Sequence, residues 1–202
     1  MNTRRMLEFG GVAAGVVLIA FGIGSLVLGL NARSTVRDEL GREFIVGSED
    51  MNPTDIEKAV QEAGLSNVPI PSCDVAEKQI KTGSDARCFA QYMRIHALES
   101  SGGNTYAQMG RFVASADPSD PKGTSDEAAA AKDEEGKPIS NGARNTWVTE
   151  TALSTALNTS YMAEQIGLFS VVVGVALLLS GIGFLILALA VLGGGDRKPT
   201  VS

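Results

Sequence analysis

Histidine and cysteine are scarce in this chain: His96 is the only histidine, and Cys73 and Cys88 are the only cysteines, in 202 residues. One imidazole cannot build a two-histidine metal triad or a histidine-rich zinc site within one chain. Two thiols without a Cys-x-x-Cys pair are also too few for a metal, so no metal site and no cofactor are expected. A glycine-rich phosphate loop is lacking, since Gly193-Gly194-Gly195 merely follows an apolar run. The serines and carboxylates show no spacing that singles out an acid–base pair. No catalytic residue is assigned, and the chain reads as a non-enzymatic protein.

Basic residues are in deficit, with 17 Lys and Arg against 23 Asp and Glu. Four of the basic residues, Arg4, Arg5, Arg197 and Lys198, and two of the acids, Glu8 and Asp196, lie near the ends, so the intervening segment is acidic. Such a surface repels nucleic acid and anionic headgroups. Charge is missing altogether from residues 9–30 and 166–192. A helix rises about 1.5 Å per residue, and roughly 20 apolar residues cross a hydrocarbon core of about 30 Å. Both runs are long enough. A cleaved signal peptide is the rival reading of the first run, but signal cores are shorter and the small-x-small cleavage pattern is replaced by Leu30-Asn31-Ala32. An uncleaved anchor is therefore expected. The lack of an ionisable group inside either run argues against a proton or ion path built from this chain alone.

Orientation follows from the short flanks, where Lys and Arg are retained in the cytoplasm. Arg197 and Lys198 follow the second run, whereas the nearest basic residue on its other side is Arg144. The first run is equivocal, with Arg4 and Arg5 opposed by Arg33, Arg37 and Arg42. Two spans place both ends on one side, so the second decides. The expected organisation is a cytoplasmic tail at 1–8, a transmembrane helix at 9–30, an extracytoplasmic domain at 31–165, a second transmembrane helix at 166–192 and a cytoplasmic tail at 193–202. Both cysteines then lie in an oxidising compartment, where a Cys73–Cys88 bridge would be worth roughly 3 kcal/mol in the chain-entropy model. Two free, buried thiols are the alternative. Membrane lipid, other envelope membrane proteins and self-association are the expected partners, and nucleic acid is not.

Between the spans the periodicity is helical, and no stretch alternates cleanly enough to demand a strand. Val36, Leu40 and Phe44 recur at spacing four, which extends the first helix outward until Gly47. Asn52 is placed to cap a second helix, with Pro53 at its first position, Asp55 and Glu57 near its positive end and Gly64 as its stop. A third helix is expected over 84–100, ended by Gly102 and Gly103, with Cys88, Tyr92 and Ile95 on its apolar stripe and Phe89 and Met93 widening it. Tyr106, Met109 and Phe112 are spaced to pack back on it. Residues 115–144 hold no aromatic and are rich in Asp, Pro, Gly and Ala, so they read as a mobile acidic loop, with at most a transient helical turn over 128–132. A last helix, carrying Trp147, Leu153, Leu157 and Tyr161, resumes near Asn145 and enters the second span. Trp147 should pack on the other helices of this domain, and Tyr161 should sit at the membrane interface. The fold class is an all-α membrane protein: two transmembrane helices flanking a mostly helical extracytoplasmic domain with a disordered acidic loop.

Two further sets of residues are candidate sites. Gly11, Gly15, Gly22 and Gly29 in the first span, and Gly167, Gly174 and Gly181 in the second, form small-residue stripes through which the spans could pack together. Tyr92, His96 and Glu99 recur at spacings of four and three, so a carboxylate could orient the imidazole.

The run Arg94-Ile95-His96-Ala97-Leu98-Glu99, followed by Gly102-Gly103-Asn104-Thr105-Tyr106-Ala107, resembles a motif of small two-span membrane proteins of actinobacteria. Those proteins also resume with a Ser/Thr- and Ala-rich helix entering a Gly-rich final span, as 151–183 does here. Many bear the label of aromatic ring-opening dioxygenase small subunit, which implies an oxygenase-associated role. Such oxygenases commonly hold iron with two histidines and a carboxylate. The family usually shows a His-His pair where this chain has Ile95-His96, a departure that argues against a metal role at this position. The leading expectation is an accessory or scaffold subunit of the cell envelope acting by protein contact. An extracytoplasmic ligand sensor working through a partner is the second reading, and an oxygenase-associated subunit the third.

Overall fold

The computed structural model describes residues 3–192. Arg197, Lys198 and the Gly193-Gly194-Gly195 run lie outside the described residues. Helix makes up 64% of the chain, and no strand forms among the described residues. The elements are α1 (Thr3–Arg42), α2 (Pro53–Glu62), α3 (Gly83–Ser100), a 3₁₀ turn (Tyr106–Gln108) and α4 (Gly142–Ile186), which ends in a π-helical segment (Leu187–Leu192). The chain divides into two compact units, one of Met1–Thr35 with Ala163–Ser202 and the other of Val36–Met162.

In the first unit the apolar part of α1 runs antiparallel to that of α4. Both helices are long and apolar enough to cross a membrane, with mean hydropathies of 2.4 and 2.7 in their most apolar windows. Only 11% and 17% of those windows is buried, whereas the core helix of a soluble protein is mostly buried. Phe9, Phe21, Phe169 and Leu179 point outward. Where the helices meet, glycines of one face glycines of the other. A Cβ placed on Gly22 would stand 2.9 Å from the Gly174 carbonyl oxygen, and one on Gly174 the same distance from that of Gly22. Gly15 faces Gly181 and Gly29 faces Gly167 in the same reciprocal way, while Gly11 faces Ala188. The three reciprocally facing glycines of each helix recur every seven residues, a period that keeps one face in register over several turns. Each notch receives a branched side chain from across the pair, with Leu26 over Gly174, Leu178 over Gly22, Ile19 over Gly181 and Val171 over Gly29. Arg33 occupies the corresponding position over Gly167. Its Nε lies 3.9 Å from Oε1 of the buried Glu164.

The second unit is held together by caps, bridges and a small core. Asn52 Oδ1 accepts the Asp55 amide at 3.0 Å, Pro53 opens α2, and Gly64 leaves it with φ +64°. Ile56 and Val60 are the buried face of α2. Thr82 and Asp85 close a reciprocal capping box at the start of α3, a signal that the apolar stripe alone does not reveal. Gly102 and Gly103, both at positive φ, end α3, and the Gly103 amide returns to the Leu98 carbonyl at 2.8 Å.

Two expectations are corrected here. The apolar stripe of α1 includes Val36 and Leu40, both buried, but the helix stops at Arg42 and Phe44 is 78% exposed at φ +52°. The chain must turn there so that the next segment can bond to residues 75–80. Ile80 donates to Ile45 O, Gly47 to Lys78 O and Glu77 to Gly47 O, at 2.9 to 3.0 Å. Gly47 therefore does not end the helix; a Cβ at this position would collide with the Val75 carbonyl.

The second correction concerns 115–144, expected as a mobile loop. Its backbone is instead tied into bridges with 110–114, none of which extends into a strand. Phe112 and Thr124 exchange bonds of 2.9 and 2.8 Å, Ala131 donates to Val113 O, and Ile139 donates to Ala131 O. Ala130 is buried, and no helical turn forms over 128–132. The physical reason is that the aspartates fold their own turns. Asp117, Asp120, Asp126 and Asp133 each accept the amide two residues onward, at 2.9 to 3.1 Å. The Ser119 hydroxyl and amide hold the Asp117 carboxyl below the usual carboxylate range. Buried Asn141 gathers the segment, donating to the Gly110 and Pro121 carbonyls and accepting the Arg144 amide at the head of α4. In hydrogen exchange, the amides of Phe112, Thr124, Ala131 and Ile139 should be protected at least about tenfold over those of Glu127 and Glu134. Uniform fast exchange from 115 to 140 would restore the mobile-loop reading.

Candidate functional site

The sequence groups Tyr92, His96 and Glu99 on one face of α3, and the structure separates them. Four residues advance a helix about 40° past a full turn, which carries His96 off the buried stripe on which Tyr92 sits. The Tyr92 side chain is fully buried and donates its hydroxyl to the Cys73 carbonyl at 2.6 Å. Burial first, and the nearby Asp74 carboxylate second, raise the Tyr92 pKa above its ordinary value of 10.0. This group is a strut under the disulfide, not part of a polar cluster.

His96 and Glu99 do meet, with Nδ1 and Oε2 3.0 Å apart. The second partner of the ring is Asp50, whose Oδ2 lies 3.5 Å from Nε2. Asp50 lies in the turn before α2 and is absent from any local spacing, which is why helical periodicity does not find it. The imidazole thus links α3 to that turn between two carboxylates. Neither partner offers a hydroxyl or thiol for the ring to activate, so the arrangement is a polar tie between elements. Among the described residues, no three His, Cys, Asp or Glu side chains converge as metal ligands.

Cys73 and Cys88 are joined in a disulfide, with Cα atoms 6.1 Å apart. It fastens the extended chain before α3 to the first turns of that helix, directly above the Tyr92 contact.

A second buried centre surrounds Trp147, which packs with Ala97 and Met109 against Leu98 and Ala143. Its indole Nε1 donates to Ser101 Oγ at 3.0 Å. Ser101 is fully buried, and its hydroxyl in turn lies 2.6 Å from both the Ala97 and Asn104 carbonyls. Trp147, expected from its distance to the span to pack within this domain, does so. Ser101 carries no sequence signal beyond its place at a helix end. Arginines lie over four aromatic rings: Arg94 over Trp147 at 5.3 Å, Arg144 over Tyr106 at 3.9 Å, Arg87 over Tyr161 at 4.7 Å and Arg111 over Phe112 at 5.3 Å. Tyr106 and Phe112, spaced to pack on α3, are only partly covered, and of that trio Met109 alone is buried.

No protein-family model, no curated protein and no solved structure matches this chain.

The Tyr92 contact has a pH signature. The unfolded phenol ionises near pH 10, and the folded one holds its proton to higher pH. This stabilising contribution is therefore complete below pH 10 and is lost as pH rises through the folded pKa. Tyr92→Phe should lower thermal stability at pH 8 by about 1 kcal/mol and flatten the alkaline fall above pH 10, followed by Trp147 fluorescence. An unchanged alkaline slope would remove Tyr92 from this role.

Proposed function

We propose that this chain is a two-span protein of the cytoplasmic membrane, with both termini in the cytoplasm and a helical, disulfide-bonded domain outside, and that it acts without catalysis as an accessory or scaffold subunit. The observation that carries this reading is the outward-facing apolar surface of the paired helices in the first unit. Contiguous apolar area of that extent is not left to water, and lipid is the solvent it suits. The basic residues Arg197 and Lys198 support a cytoplasmic C-terminus, and the Cys73–Cys88 bridge suits an oxidising exterior. The second unit offers a rigidly tied surface and no nucleophile paired with His96, which favours protein contact over chemistry.

Two other readings stay in view. A sensor is favoured by the continuity of α1 and α4, each an unbroken helix through apolar and polar sequence alike. An oxygenase-associated subunit, as the family resemblance suggests, would have to borrow its iron ligands, because this chain has one histidine.

Cysteines placed at Glu134 and Ser202 test the topology. In intact cells an impermeant maleimide should label Glu134→Cys, and Ser202→Cys only after permeabilisation; the reverse pattern would overturn the orientation. Cross-linking in cells with mass spectrometry should recover a reproducible envelope complex. Absence of any complex, together with ligand-induced stabilisation, would favour the sensor. Stoichiometric iron with catechol ring opening would overturn the non-catalytic reading.

A further inference from the structure

Phe89 and Met93 widen the apolar stripe of α3, yet both are only half-buried. They face a cavity of about 600 Å³ within the second unit. Its walls come from three directions: Leu40 of α1 with Ile45 beyond it, Phe89 and Met93 of α3, and Leu157 of α4. Leu153, 48% exposed, stands in the same lining with Ala156. Polar side chains enter only from Glu39 near the end of α1, Glu43 just beyond it, and Ser160. This is the composition and size of a small-molecule site, a largely apolar cleft of about 300 to 1,000 Å³ with a few placed polar groups.

A second, more polar groove along α4 makes a useful contrast. It is lined by Arg94, Glu150 and a run of hydroxyl and amide side chains. Those groups are already engaged with their own helix. Thr155 donates to Thr151 O, Thr159 to Thr155 O, Asn158 to Ser154 O, and Ser154 to the Glu150 carboxylate. Little remains there to read a ligand.

In the apolar cavity the charge has one sign. Glu39 and Glu43 are the only acidic side chains in its lining, and no Lys or Arg lines it. Arg42 engages Glu39 at 2.9 Å but does not line the cavity, and Glu43 is exposed beside it. An anionic head would meet two carboxylates, of which only the exposed Glu39 has a counter-charge, in Arg42. A cationic head would be drawn to them, with its chain among Leu40, Phe89, Met93 and Leu157. Methionine adapts to irregular apolar shapes, which suits a flexible tail. We infer that this cavity binds a small amphiphile with a cationic head and an apolar tail, the head at Glu39 and Glu43 and the tail against Phe89 and Met93. The inference concerns occupancy of the second unit alone and goes beyond the scaffold reading; it holds on either side of the membrane.

The test uses the full chain in lipid nanodiscs with methyl-labelled methionine, and three probes sharing one tail: decylamine, decanol and decanoate. Met93 lines the cavity, buried Met51 and Met109 report the fold, and exposed Met6 and Met162 report partition into lipid. Decylamine should shift Met93 saturably while Met51, Met109, Met6 and Met162 stay in place. Decanol should bind more weakly and decanoate should leave Met93 unmoved. Glu39→Gln with Glu43→Gln should weaken decylamine about tenfold, the scale of lost charge-assisted contacts. Ala156→Phe, which fills the cavity, should abolish the shift. If that variant fails to fold, Leu153→Trp at the half-exposed wall replaces it, with Met51 and Met109 as fold controls. The inference is overturned if Met93 does not respond, if decanoate acts as well as decylamine, if Met6 and Met162 shift in parallel with Met93, or if the filled variant binds unchanged. Maleimide topology labelling is independent of all these outcomes, so failure of the site and failure of the membrane orientation remain separate results.

Discussion

Backbone meets backbone between Gly15 and Gly181, Gly22 and Gly174, and Gly29 and Gly167, and the first unit depends on that contact. In lipid, apolar side chains gain little by leaving their solvent, so helix association rests on close packing and on polar contacts. Removing the side chain every seventh residue on both helices lets the main chains approach and opens notches for Leu26, Leu178, Ile19 and Val171. The repeat also fixes register, because a slip of one residue would drive these branched side chains into the opposite backbone. Arg33 and Glu164 then close one end of the repeat with opposite charges where the last notch would hold another aliphatic side chain.

The second unit solves a different problem, since it has few aromatic residues with which to build a large core. Its stability is spread over local devices: the disulfide with Tyr92 beneath it, the Ser101–Trp147 centre, the Asn52 and Thr82 caps, and the turns closed by aspartates. Small domains with limited apolar area commonly need such ties. The acidity of the 115–144 segment therefore has a structural use. Each of its four turn-forming carboxylates accepts amides that would otherwise need water.

Features that act within a few residues were legible in the sequence. Uncharged length marked the two apolar helices, Asn52-Pro53 marked the start of α2, and Gly64, Gly102 and Gly103 marked helix ends, each by a local rule of backbone geometry. The facing glycines were visible as stripes, though only the fold pairs Gly22 with Gly174. Features that depend on tertiary approach were not legible. Gly47 resembles a helix stop because nothing local shows the Val75 carbonyl that excludes its side chain. Asp50 is far from His96 along the chain, and Tyr92 shares a spacing with His96 but not a direction. The segment after Ser115 lacks aromatic residues, and a reading based on burial alone passes over backbone bonds to residues such as Phe112 and Val113.

The pairing of the two apolar helices is tested most directly by cross-linking Gly11→Cys with Ala188→Cys in native membranes. A Cβ at Gly11 would lie 2.9 Å from that of Ala188, so a shift of about 1 Å between the helices brings the pair to the Cβ separation of a disulfide. Gly10→Cys with Ala188→Cys is the control, because Gly10 faces open space. The account predicts an oxidised bond within a single chain for the first pair and none for the second. Equal cross-linking of both pairs, or a bond formed only between chains, would contradict it.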